Sequence, residues 1–260
     1  MKNSTMKSKL YHFLLHRLFP VVFWLAVWEI AAGIINHSYF LPGLWETLLA
    51  IKKIITEPGF LKIVSNTLLR IFAGIASGTL LATVFAILSH RFRILYSLIS
   101  PINSVIKATP VASIIILLWI SMNGNSLAIF VSFLMVFPII WQNLYDAFSS
   151  IDNRLIEVAE VFQFNYRKRL CLLVFPALKQ YFLPAFVTAI GLAFKAEIAA
   201  ERIAGVRNSI GQMIYYAKDA PAIDEMFAWT AVGVSLSITI EKLAKSLLLP
   251  KNRRKGAAEI

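Results

Sequence analysis

Apolar residues along this chain run in long blocks separated by short polar breaks, without the strict alternation that marks a half-buried strand. A hydrocarbon core about 30 Å thick needs roughly 20 apolar residues in helical form. Six blocks reach that length, at about 18–36, 66–89, 100–122, 126–146, 181–202 and 226–248. The pattern predicts an all-α, polytopic membrane bundle of about six transmembrane helices. The third block contains Pro101 and Pro110, so it is expected to be kinked or broken and to include a turn that does not span.

Two segments outside these blocks carry helical spacing. In 41–58, LPGLWETLLAIKKIITEP, apolar Leu44, Leu48, Ile51 and Ile55 recur at helical intervals, with Glu46, Lys52 and Lys53 on other faces. It reads as an amphipathic helix lying on the outer surface. The segment 147–180 is too long for a structureless connection and is expected to fold. Asp152 is a plausible N-cap. A helix from about Asn153 to Phe162, a turn near Gln163–Asn165 and a second helix leading to Pro176 make a helix–turn–helix.

Composition agrees with lipid as the solvent. Of the 260 residues 58% are hydrophobic, 15% are charged, and mean hydropathy is +0.69; a soluble domain carries about 25% charge. The net charge of +12 lies between and beyond the apolar blocks, without the aromatic and Gly interleaving of an RNA-binding sheet, so nucleic acid is not the expected partner. With the N-terminus inside, segments 1–17, 90–93, 147–180 and 241–260 hold 4, 2, 5 and 6 Lys and Arg, against 3, 0 and 2 in 37–65, 123–125 and 203–225. This asymmetry places both termini and the 147–180 loop in the cytoplasm. The basic leader before the first block resembles a signal peptide, but Glu29 interrupts the run and five blocks follow, so it is read as an uncleaved first helix.

Little in the sequence suggests chemistry of its own. The lone Cys171 gives neither a disulfide nor a multi-Cys metal site. His12 and His16 stand in a basic amphipathic segment and read as interfacial. No G-x-x-x-x-G-K-[ST] loop is present, so the chain is not expected to supply an ATP site of its own. No catalytic constellation, metal or cofactor is expected.

The stretch SSIDNRLIEVAEVFQFNYRKRLCLLVFPAL resembles the Glu-Ala-Ala coupling loop of ABC importer permeases. Glu157, Ala159 and Pro176 match in register. Val158 replaces an Ala, Phe175 replaces a Leu, and Gln163 stands where the family has the Gly of a left-handed turn. Asn165 tolerates that conformation and is expected to take the turn's role. IKATPVASIIILLWI (106–120), Trp28-Glu29 and Ala200-Glu201 resemble the nitrate, taurine and sulfonate branch, and the likeness runs over about residues 18–250. The resemblance implies the type I importer permease fold, a single permease domain over 1–260. It implies a bacterial cytoplasmic membrane location and a pathway formed by two permease copies, a homodimer. It further implies ABC ATPase subunits docked on Glu157, Ala159, Gln163 and Pro176, and an external or lipid-anchored binding protein that delivers a small solute. On this reading Ala159 packs into a groove of the ATPase. An ion-coupled secondary transporter is the alternative; it would want internal repeats or paired broken helices.

Ionisable residues within apolar blocks must face protein, water or one another. The pathway or intramembrane charge candidates are Glu29, Lys107, Lys195, Glu197 and Glu201, with Arg70 and Arg202 nearby. Glu197 and Glu201 share one helical face, while Lys195 and Arg202 share another. For an anionic solute the carboxylates are expected to be neutralised by Lys195, Arg202 or basic groups on neighbouring spans such as Lys107, and for a cationic or neutral one to contact it directly; on a structural reading Lys195 and Arg202 pair with acids such as Glu29. Gly74-x-x-x-Gly78 allows close helix approach, in the first instance within one chain.

Overall fold

The computed structural model describes residues 18–35 and 40–248, and among them every regular element is helical. The expectations for His12 and His16 fall outside the described residues. In chain order the elements are α1 (Phe19–Ile35), α2 (Leu44–Thr56), α3 (Phe60–Arg91), α4 (Arg93–Ala108), α5 (Val111–Trp119), α6 (Gly124–Ser149) and α7 (Asn153–Val161). Then follow α8 (Tyr166–Arg169), a π turn (Leu170–Val174), α9 (Phe175–Ile203), α10 (Ile210–Asp219) and α11 (Ile223–Leu248). All six apolar blocks fall on helices. Among the described residues α3, α6, the rod Tyr166–Ile203 and α11 are each long and apolar enough to cross a membrane. The pair α4 and α5 qualifies together but is bent by 101°, and α1 is a shorter apolar helix.

The break between α4 and α5 has a local cause. Pro110 has no N–H and disfavours helical backbone in the residue before it. Thr109 accordingly sits at φ −78, ψ 130. Pro101, the other proline of this block, is carried inside α4. Of the two prolines, it is Pro110 that breaks the block.

The described residues fall into two compact units, Met1–Phe60 with Met213–Val232, and Leu61–Gln212 with Gly233–Ile260. In the first, α1 is joined to the start of α2 by two bonds. Trp28 Nε1 donates to the Pro42 carbonyl at 3.0 Å, and the Leu44 amide donates to Glu29 Oε2 at 2.8 Å. The buried face of α2 is Thr47, Ala50 and Ile54. The apolar stripe read from the sequence faces largely the other way, with Leu48 and Ile55 half exposed. Small Ala and Thr allow close contact, and the large aliphatic residues remain outside, as suits a helix with lipid on one side.

In the second unit α3 packs on α6 through Gly74, Gly78, Ala82 and Ala86, all buried and one turn apart. A Cβ on Gly74 would run into Ser132 and come within 2.8 Å of the Ile129 carbonyl; one on Gly78 would lie 3.0 Å from Val136 Cβ. The glycine pair therefore seats one helix of the chain on another, as the sequence suggests. Among the described residues α6 and α9 share an extensive helix–helix interface. The core there includes Ile71, Val136, Ile140, Trp141, Ile190 and Phe194. Trp141 is fully buried and donates its indole N–H to Ser89 Oγ at 3.2 Å.

Candidate functional site

Two places in the second unit concentrate polar or unpartnered groups: the C-terminal end of α9 and the segment α7 to α9. On α9, Glu197 and Glu201 stand one turn apart and are fully buried. Glu201 is saturated. It accepts from Thr67 Oγ1 at 2.8 and 3.0 Å, from Arg70 Nη1 at 2.8 Å and from the Gly211 amide at 3.2 Å. Arg70 is held equally firmly, its Nε on Asn125 Oδ1 at 3.1 Å and its Nη2 on the Arg207 carbonyl at 3.3 Å. A bidentate or networked guanidinium of this kind is fixed in direction as well as charge.

Local sequence puts these groups together. α9 stops in a Schellman turn, with Gly205 at φ 63 and the Val206 amide bonded to the Glu201 carbonyl at 2.9 Å. The chain reverses and starts α10, where Ser209 Oγ accepts from the Gln212 amide at 3.0 Å as a cap. The Ile210 amide donates to Thr67 Oγ1 at 3.1 Å. The Glu201 carboxylate thus closes the N-terminus of α10, where unsatisfied amides and the helix dipole favour an anion. Gly211 is required for the approach: a Cβ there would lie 2.6 Å from the Arg202 amide, from Glu201 Cβ and from the Ile198 carbonyl.

Glu197 is bound differently. Its Oε2 accepts from Ser132 Oγ at 2.5 Å, and its Oε1 has no hydrogen-bond partner. Ser132 is carried close by the Gly74 contact between α3 and α6. No cation touches Glu197 among the contacts of the described residues.

The charge pairing expected from sequence holds in kind, through a basic group on a neighbouring span, and is corrected in its residues. The partner of Glu201 is Arg70 on α3, and neither Lys195, Arg202 nor Lys107. Lys195 and Arg202 are exposed on the other face of α9, and Lys107 is exposed in the last turn of α4. Glu29 accepts the Leu44 amide and serves as a cap for α2. Thr67, Ser132 and Gly211 were not singled out from sequence. Thr67 and Arg70 do stand at i,i+3 and so face one way, which is a usable signal once Arg70 is known to lie in a membrane helix.

The loop 147–180 folds as expected and differs in one detail. Asp152 caps α7, accepting the Arg154 amide at 2.9 Å. α7 then ends in a full Schellman turn: the Phe164 amide reaches the Ala159 carbonyl at 2.8 Å and the Gln163 amide the Glu160 carbonyl at 2.9 Å. The left-handed residue is Gln163, at φ 48. Asn165 is extended, at φ −66 and ψ 162, and caps α8 by accepting the Lys168 amide at 2.9 Å. Asn165 is therefore the cap after the turn and does not substitute for the missing glycine. Glu160 and Arg169 pair across the turn at 2.8 Å. A π turn precedes Pro176, with the Phe175 amide bonded to Leu170 O; the wider turn relieves the clash and lost donor that proline brings to a continuing helix.

Glu157, Gln163 and Pro176 are on the surface, whereas Ala159 is 2% exposed. The expectation that Ala159 itself enters a partner's groove is corrected: its methyl is already packed inside the chain. The surface there is made by Leu155, Val158, Val161 and Phe162, with Val161 79% exposed. A knob of short, capped helices with an uncovered apolar face has the form of a docking element.

Comparison with known proteins accords with a transport role. The family described as binding-protein-dependent transport system inner membrane component matches residues 74–254. The chain is also similar to the putative aliphatic sulfonates transport permease protein SsuC of Bacillus subtilis (strain 168). The two are 22% identical over 246 residues, covering 92% of this chain and 88% of that protein.

Proposed function

The chain belongs to the family of binding-protein-dependent transport system inner membrane components, and from that premise we propose that it carries a small organic anion of the sulfonate class. It is a multi-pass membrane subunit of an ABC importer and not itself an enzyme; ATPase and binding-protein partners follow from the family. In the proposed assembly two copies form the pathway, both termini and the 147–180 loop are cytoplasmic, and the loop docks on the ATPase. The observation that carries the docking assignment is the exposed apolar ridge of α7, on a segment that the chain otherwise caps completely. Glu157 and Gln163 adjoin that ridge along the chain, Pro176 is exposed at the start of α9, and Ala159 is buried behind the ridge.

An anionic solute is compatible with Glu201, because Arg70 neutralises it. Of the charged candidates, Lys107 is assigned to the pathway. It is exposed in the last turn of α4, just before the α4–α5 break and the start of α5. Glu201 is assigned a structural role, and Glu197, fully buried and bonded to Ser132, is assigned to the packing of α9 on α6. The test is uptake into proteoliposomes holding this chain, its ATPase and its binding protein. Accumulation of an alkanesulfonate that requires ATP and the binding protein is expected. Uptake driven by an ion gradient without ATP would replace this reading with the secondary transporter.

A further inference from the structure

We propose that the cavity beneath the 147–180 loop is a binding site for one acyl chain of an anionic phospholipid, with the headgroup held by the loop's bases. The cavity measures about 580 Å³ and is walled by Phe148, Ile151, Ile156, Leu170, Leu173 and Val174. That size falls within the roughly 300–1,000 Å³ of small-molecule sites, which are likewise mostly apolar with a few polar groups at fixed places. The polar groups here are His90, Ser149, Tyr166 and Arg169. The His90 ring stacks on Phe148 at 5.0 Å, so its position is set by the wall of the cavity. Arg169 is tied to Glu160 at 2.8 Å, but that carboxylate is 64% exposed. A phosphate can therefore share or replace it on the guanidinium at little cost in buried charge.

Charge selects the occupant. The segments 90–93 and 147–180 together carry seven Lys and Arg against three acids, Asp152, Glu157 and Glu160. Arg91, Arg93, Arg167 and Lys168 are exposed next to the lining residues His90 and Arg169. The chain's own segment 1–17 has four bases and no acid, and so is a poor match for a basic rim. A phospholipid supplies the two chemistries that the cavity shows side by side, an acyl chain and an anionic headgroup, and basic pockets at helix ends on the cytoplasmic side suit such headgroups. The site lies at the end of the apolar rod Tyr166–Ile203, where the acyl region meets the headgroups. Its walls include α7 and the π turn, so a bound chain would brace the loop assigned to ATPase docking. The inference rests on the cytoplasmic placement proposed above for this loop.

Binding is tested on the detergent-purified full chain, so that its outcome does not depend on transport. Phosphatidylglycerol with a photoreactive diazirine on one acyl chain is added, and adducts are mapped by mass spectrometry. Adducts concentrated on Phe148, Ile156, Leu170 and Leu173 are expected, with at least about tenfold less labelling by the phosphatidylcholine analogue and no competition from soluble glycerophosphoglycerol. Leu173→Trp, which fills the cavity, should lower labelling at these residues about tenfold; Arg167→Gln with Lys168→Gln, both exposed, should narrow the preference over phosphatidylcholine without unfolding the chain. Adducts spread along the lipid-facing helices, equal labelling by the two lipids, or competition by the soluble headgroup would each overturn the proposal. Uptake that fails while the adducts map as expected would count against the transport reading alone.

Discussion

α9 and α7 end in the same turn and leave it in opposite states. Each closes with a residue of positive φ, Gly205 at 63 and Gln163 at 48, and with an amide returned to the helix's last free carbonyls. After Gly205 the chain folds back, and its new amides are taken up by Glu201 and Thr67 until that end of the helix is satisfied from within. After Gln163 the backbone is again satisfied, by the turn's own bonds and the Asn165 cap, and Glu160 and Arg169 pair across it, but Val158, Val161 and Phe162 stay uncovered. The first end is complete in one chain and holds its helices together. The second is rigid and incomplete, which is what a docking element requires.

The comparison is broken most strongly by removing one member of the inner charge pair. Arg70→Met leaves the Glu201 carboxylate buried without its cation, and loss of one partner of a buried pair costs about 3–5 kcal/mol. Abundance and melting temperature in detergent should fall sharply, while the double change Arg70→Met with Glu201→Met recovers part of the loss. A single Arg70→Met variant as abundant as the natural chain would mean that the α9 end is not held by this pair.

A smaller change sharpens the same contrast. A non-Gly residue in the left-handed region carries a cost of roughly 1–2 kcal/mol. Gln163→Gly should therefore raise stability by about 1 kcal/mol, after the entropy glycine loses on folding, and leave ATPase binding intact. The mirror change, Gly205→Ala, should lower stability by a similar amount, since no atom lies within 4 Å of the added methyl and only the backbone is strained. Thermal unfolding of both variants checks the pair.

The smallest expected effect lies in the other unit, at an exposed contact. Lys53 donates to Glu225 at 2.5 Å, and this hydrogen bond, with the attraction of the same carboxylate, raises the Lys53 ammonium above its ordinary value of 10.5. A raised folded value means that the contribution is fully present below about pH 10.5 and is lost as pH rises through the folded value. Lys53→Met should abolish that alkaline decline and alter stability little at neutral pH, as a surface pair does. Melting curves from pH 8 to 11.5 check the difference.

Much of this was legible before the structure. Apolar blocks alone located the long helices, because lipid permits few backbone forms, whereas α10 carries no such block and was not read from sequence. Pro110 foretold the broken third block, and Asp152 and Gln163 marked the ends of α7. The pairing of Glu201 was not legible. It depends on which face of α3 meets α9, and on a reversal at Gly205 that brings α10 amides back to the carboxylate. Neither is a property of one helix. The burial of Ala159 was missed for the same reason. Helical spacing gives a face, but only packing says whether that face looks inward.

If the ATPase docks on the outward face of α7, as proposed, Val161→Lys should separate the two subunits. Val161 is 79% exposed in the last turn of α7, where a cation suits the helix dipole, so folding should change by no more than about 0.5 kcal/mol. In a desolvated interface the same charge has no partner. Co-purification from membranes should therefore recover the variant permease at normal abundance, with the ATPase lost from it and ATP-driven uptake abolished. Recovery of the ATPase at the natural ratio, with normal uptake, would contradict the claim and move the docking surface elsewhere on the chain.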